Sequence, residues 1–193
     1  MPGVPKRGPA RSEASYADIE ADPALAGPAG QAGRTLFNDN CAACHGVGGT
    51  GGPGYPDLAA KAWLWGGEPE TIEETIRVGI NSTNDDTRTS QMLAFGRDGI
   101  LPAEGNAERI EAGKQVFADN CVACHGEDAR GNHDVGAPNL TDDSWIYGGD
   151  EQSVYTSVFS GRQGHMPHWD SRLSPLQIKL LTLYVHTLPG DGK

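Results

Sequence analysis

Aromatic residues make up only 7% of this 193-residue chain, and hydrophobic residues of all kinds only 37%. A chain this size with so little apolar material has a thin core, which a buried prosthetic group would supplement with apolar surface of its own. Cysteine is scarce too. All four cysteines fall in two short motifs, which leaves none for a disulfide framework. Basic residues number 15 against 26 acidic ones, for a formal charge of −11, and nothing resembles a basic stripe. That balance excludes a nucleic-acid partner. No apolar run approaches the length of a membrane span, so no membrane contact is expected from these residues. No signal peptide opens the chain, and Met1–Pro9 reads as a polar linker.

Glycine, by contrast, is abundant at 27 residues, with 13 prolines, so long stretches are expected to be loop. The acidity suits a basic protein partner steered in by long-range attraction, and it serves solubility equally well.

The strongest organisational signal is repetition. Gly33-Arg34-Thr35-Leu36-Phe37-Asn38-Asp39-Asn40-Cys41 recurs as Gly113-Lys114-Gln115-Val116-Phe117-Ala118-Asp119-Asn120-Cys121. Pro56-Asp57-Leu58 returns as Pro138-Asn139-Leu140, and Trp63-Leu64-Trp65-Gly66-Gly67 as Trp145-Ile146-Tyr147-Gly148-Gly149. The offset grows by two between these blocks, which places a short insertion around His133. One module has been duplicated. The division expected is a polar linker over 1–30, a first domain over 31–101 and a second over 102–193, joined near Leu101–Gly105. Helical spacing of apolar residues marks Gln31–Ala43 and Ile110–Ala123, and Glu68–Val78 and Asp150–Phe159 open on acidic residues that suit a helix N-terminus. Ser174-Pro175 starts a further helix that runs to Leu188 and stops at Pro189-Gly190. On that helix His186, Lys179 and Thr182 share a face that reads as solvent-exposed. Nothing shows a period of two, so the fold is expected to be all-α.

Each copy carries Cys-x-x-Cys-His, at Cys41–His45 and at Cys121–His125. Two thiols one helical turn apart reach the two vinyl groups of one porphyrin, and the adjacent histidine turns onto its iron. A zinc site would need its second ligand pair much nearer, and a thioredoxin-like pair would need a βαβ context. The motifs therefore specify two covalently attached haem c groups, with His45 and His125 as proximal ligands. Met92 and Met166 are the single thioethers downstream of the second helix in each copy, and are the expected sixth ligands. His165 and His168 flank Met166 and are read as surface residues near the haem edge. Trp63 and Trp145, with Trp65 and Tyr147, are expected against the porphyrin, their polar tips in reach of a propionate. Pro56 and Pro138 are expected to line the proximal side, their carbonyls accepting from the histidine Nδ1–H. No catalytic residue is assigned.

These blocks, with Tyr16-Ala17-Asp18-Ile19-Glu20-Ala21-Asp22-Pro23 ahead of them and Gly164-His165-Met166-Pro167 near the end, resemble the di-haem subunit of cbb3-type cytochrome c oxidases. The resemblance runs from about Ser15 to Leu188. It implies two tandem class I cytochrome c domains beyond a membrane anchor that this chain lacks, on the periplasmic side of the bacterial inner membrane. It also implies electron transfer from a soluble cytochrome c towards the oxygen-reducing core, alongside the other oxidase subunits. A free di-haem carrier and a di-haem peroxidase are the alternatives weighed. One departure stands out. Class I modules close with a helix across the N-terminal helix, and only the second copy has one in sequence. Either one helix's worth of residues is omitted from the first copy, or the first haem is expected to be less protected and Met92 ligation less secure.

Overall fold

The computed structural model describes residues 14–96 and 107–189, so the linker Leu101–Gly105 and residues 1–13 lie outside the described residues. Helix α1 (Tyr16–Ala21) opens with a capping box between Ser15 and Asp18. Helix α2 (Pro23–Asn40) follows, with Asp22 accepting from the Ala24 N–H at 2.9 Å and Pro23 in the first turn. The single turn α3 (Ala42–His45) holds the first cysteine motif, and α4 (Pro69–Val78) ends on Gly79 at φ 72°. The second copy repeats the order with α5 (Ala107–Asn120), α6 (Val122–His125) and α7 (Glu151–Ser160), which ends on Gly161 at φ 70°. Last comes α8 (Pro175–His186), capped by Ser174 with Gln177 reaching back. The described residues hold only isolated bridges and no named strand. The fold is all-α.

The insertion around His133 is visible as a longer turn: Gly52 pairs with Tyr55 in the first copy, and Asn132 with Ala137 in the second.

The main core lies where α8 crosses α2 and α4, not where α8 would meet α5. Phe37, Ile72 and Ile76 of the first copy bury themselves with Ile178, Leu181 and Val185 of α8. The helices meet at Gly33, where a Cβ would fall 2.2 Å from the Leu180 carbonyl oxygen, so only glycine permits this approach. Beside it the Phe37 and Tyr184 rings stand 5.2 Å apart. The first copy therefore has a closing helix, supplied from the end of the chain. In sequence α8 continues the second copy, and the reading that gave it to that copy does not match its packing. The physical reason is burial: the described residues of the first copy leave the apolar faces of α2 and α4 to be covered, and α8 brings the apolar face that covers them.

Residues 16–30, read above as linker, are helical. Ala14, Tyr16, Ile19 and Ala29 bury with Leu183 on the outer side of α8. This changes the reading of the α8 face as well. Thr182 is fully buried, Lys179 donates to the Ala14 carbonyl at 2.9 Å, and His186 Nδ1 donates to Glu20 at 2.7 Å. The Tyr16 hydroxyl donates to Glu73 on α4, and burial together with that carboxylate pushes the phenol pKa up.

Among the described residues, helix α5 has no such cover. A Cβ at Gly113, the counterpart of Gly33, would meet nothing within 4 Å, and Ile110 is 69% exposed.

Candidate functional site

Each cysteine motif is a single helical turn set at the end of a long helix. Cys41 N–H closes on Phe37 O, and the His45 N–H on Cys41 O at 2.9 Å; Cys121 and His125 repeat both bonds. Gly46 at φ 75° and Gly126 at φ 79° then turn the chain away, in the left-handed region that favours glycine. Neither cysteine pair is joined as a disulfide. Burial pushes the Cys41 thiol up to about 11 and raises Cys121 too.

Each motif histidine faces a proline carbonyl. His45 Nδ1 donates to the Pro56 carbonyl at 3.3 Å, and His125 Nδ1 to the Pro138 carbonyl at 3.0 Å. With Nδ1 engaged, Nε2 is the nitrogen left for a metal. Burial lowers the His45 pKa against the opposing pull of the Pro56 hydrogen bond.

The methionines have changed places. The Met166 N–H donates to Ile80 O, and the Ile80 N–H to Met166 O, both at 2.9 Å. Met92 and Arg162 exchange the same pair of bonds at 2.8 and 2.9 Å. Ile80 and Arg162 are equivalent in the repeat, each following the glycine that ends the second helix. The Met166 segment thus lies on the first copy, packed against the cluster around Phe37 and Ile72, and the Met92 segment on the second. Gly79 and Gly161 make room: a Cβ on either would lie 2.4 Å from the carbonyl oxygen of the incoming methionine. Sequence reading placed each methionine with its own module; the structure crosses them, because the chain beyond Met166 must reach the first copy to deliver α8.

Trp63 and Trp145 lie flat on Gly67 and Gly149, where a Cβ would fall 2.2 and 2.6 Å from the indole nitrogen. Trp65 Nε1, in the same block as Trp63, is a buried donor without a partner among the described residues. Trp65 rests on Gly136 of the other copy, and Tyr147, its counterpart, lies beside Gly54. Tyr55, Pro56, Trp63, Pro138, Trp145 and Tyr147 line one open cavity along this seam.

Two functional candidates escaped the sequence reading. Arg88 stacks over Trp65 at 4.9 Å and Arg162 over Tyr147 at 4.3 Å. Their signal was present: arginine stands four residues before each methionine, at Arg88/Met92 and Arg162/Met166.

His165 is exposed, as expected, and His168 Nδ1 donates to Asp170 at 2.7 Å. Asn84 Nδ2 donates to the same carboxylate at 2.8 Å, and that bond ties the segment after Met166 to the first copy. The His168 bond holds the Asp170 carboxyl below the usual aspartate range. A carboxyl depressed by folding contributes stability above its unfolded value of about 3.9, and loses it as pH falls through the folded value. Asp170→Asn is therefore expected to lower the melting temperature at neutral pH. The two proteins should converge in strong acid, and parallel curves across the whole range would refute the assignment.

Free thiol pairs one turn apart, histidines with Nε2 to spare, two methionine segments and an orphaned indole donor form a donor set that fits c-type haem twice over. The fold and this site define a di-haem cytochrome c built from class I modules. A family model described as cytochrome c matches residues 30–104, and one described as cytochrome c oxidase, cbb3-type, subunit III matches 108–185. Subunit FixP of the cbb3-type cytochrome c oxidase of Bradyrhizobium sp. (strain ORS 278) is 48% identical, over 95% of this chain and 69% of its own length. FixP of Bradyrhizobium diazoefficiens is 45% identical, over 93% and 68%, and CcoP of Cereibacter sphaeroides 44%, over 89% and 65%. This chain belongs to the FixP/CcoP family of cbb3-type cytochrome c oxidase subunits. It carries two covalent haem c groups as an electron-transfer component of that membrane-associated oxidase.

Proposed function

We propose that this chain receives electrons from a soluble, basic cytochrome c on the periplasmic side of the inner membrane and relays them towards the oxygen-reducing core. In this reading Cys41, Cys44, His45 and Met166 would hold the first haem, and Cys121, Cys124, His125 and Met92 the second. Haem c supplies a one-electron couple at its iron. The chain does the rest: Pro56 and Pro138 fix the histidine tautomers, and the thioethers of Met166 and Met92 favour the reduced state, as a carrier requires. The acidic surface steers a basic donor. The observation that carries the reading is the pair of reciprocal bridges, Ile80 with Met166 and Met92 with Arg162.

The test uses protein whose second haem is removed by Cys121→Ala and Cys124→Ala. Met166→Leu is expected to abolish the methionine–iron charge-transfer band of the remaining haem. It should also lower the midpoint potential by a few tenths of a volt, within the roughly 0.8 V that axial ligation spans. Met92→Leu should leave the band in place, and the opposite pattern would refute the crossing. In the assembled oxidase Met166→Leu should slow turnover with cytochrome c as donor, but not with a small reductant that feeds the core directly. Equal slowing with both would refute the relay.

A further inference from the structure

Arg88 and Arg162 are both half-buried, and neither forms an ion pair among the described residues. A guanidinium out of water without an anion is costly, and burial accordingly lowers the Arg88 pKa. The two are held alike. Arg88 Nε donates to Thr75 Oγ1 at 2.9 Å, and Arg162 Nε to Ser157 Oγ at 3.0 Å. Thr75 and Ser157 occupy the same position in the repeat, four residues before Gly79 and Gly161, and each arginine stacks on equivalent aromatics, Trp65 and Tyr147. The route to each place differs. Arg162 directly follows Gly161, whereas Arg88 arrives at the end of a longer loop from Gly79. Two loops of unequal length deliver a guanidinium to the same hydroxyl and the same ring.

Each arginine has five N–H donors, and the bonds above use few of them. Arg88 spends one more on the Thr71 carbonyl at 3.3 Å. Next to it lies Trp65 Nε1, a buried donor with no acceptor. Glu74, the carboxylate whose charge Arg88 feels, is already paired with Arg77 and forms no ion pair with Arg88, whereas haem c brings carboxylates of its own to each module.

We infer that Arg88 with Trp65, and Arg162 with Tyr147, are anchors for the propionate carboxylates of the haem held by their own copy. The arginine stays with its module while the methionine four residues on crosses to the other, if the ligand assignment proposed above holds. Each Arg-x-x-x-Met segment then touches both cofactors, the carboxylates of one and the iron of the other. Arg88 and Arg162 act as positioning residues that set potential by neutralising charge beside the porphyrin.

The experiment is spectroelectrochemical titration of the two-haem protein across the neutral pH range. The two haems are told apart by comparison with the Cys121→Ala/Cys124→Ala protein. Arg88→Gln is expected to lower the potential of the haem at His45 and make it fall further as pH rises, because an uncompensated propionate now titrates there. Arg88→Lys, which keeps the charge, should recover most of the loss. Arg162→Gln should do the same to the haem at His125, and carries the test if Arg88→Gln does not assemble. Unchanged potentials and pH profiles in folded variants would overturn the anchor, and a shift confined to the opposite haem would overturn its assignment. The charge-transfer band reports methionine ligation separately, so a failure of the crossing leaves the arginine result readable.

Discussion

Replacing Leu181 by alanine is expected to cost about 2–5 kcal/mol, the range for deleting a fully buried leucine side chain, and to cost it at the haem of the first copy. Leu181 is 1% exposed at the centre of the cluster that α8 forms with Phe37, Ile72 and Ile76. Met166 packs against that same cluster. Loosening α8 therefore loosens the segment that carries Met166, although Leu181 follows the second cysteine motif in sequence. Denaturant titration read at each haem would show it: the haem at His45 should lose its methionine band first, and the haem at His125 close to its wild-type midpoint. Loss of the second haem's signal alone would mean that α8 closes the second module after all.

The second large effect comes from one substitution made at two equivalent positions, with opposite signs. Gly33→Ala sets a methyl 2.2 Å from the Leu180 carbonyl oxygen and 2.7 Å from the Tyr184 Cβ, contacts that backbone cannot relieve cheaply. The crossing of α2 and α8 must open, at a cost of about 1–3 kcal/mol typical of an overpacked core. Gly113→Ala meets nothing within 4 Å on α5, and there the alanine should stabilise the helix by about 0.5–1 kcal/mol. Paired thermal melts decide it. Equal and unfavourable shifts would show that α5 is covered as α2 is.

Local chemistry was legible in the sequence. The cysteine motifs, the duplication, the serine–proline start of α8 and the two proline carbonyls all follow from residues close together in the chain, and the structure has each in place. What stayed hidden were choices between distant partners. The apolar face of α8 announces that it must be buried, but α2 and α5 present nearly the same repeat to it. The missing helix of the first copy and the spare helix of the second were therefore read as two separate facts, when they are one. Misreading residues 16–30 as linker had a further cost, since without α1 the side of α8 that carries Thr182 and Lys179 looked open to solvent. The Arg-x-x-x-Met repeat was visible throughout. It went unnoticed because the unequal loops after Gly79 and Gly161 break the constant offset by which the other blocks were found.

Placing the closing helix of the first module at the end of the chain also fixes an order of assembly. Residues 23–78 cannot complete their core until 175–186 have been made, so the first half to emerge is the last to be finished. Contacts spanning that much sequence slow folding, because the loop must close before the packing can reward it. The half-built first module must stay receptive while the second is synthesised. A chain cut short anywhere before Pro175 is left with the core of its first module open.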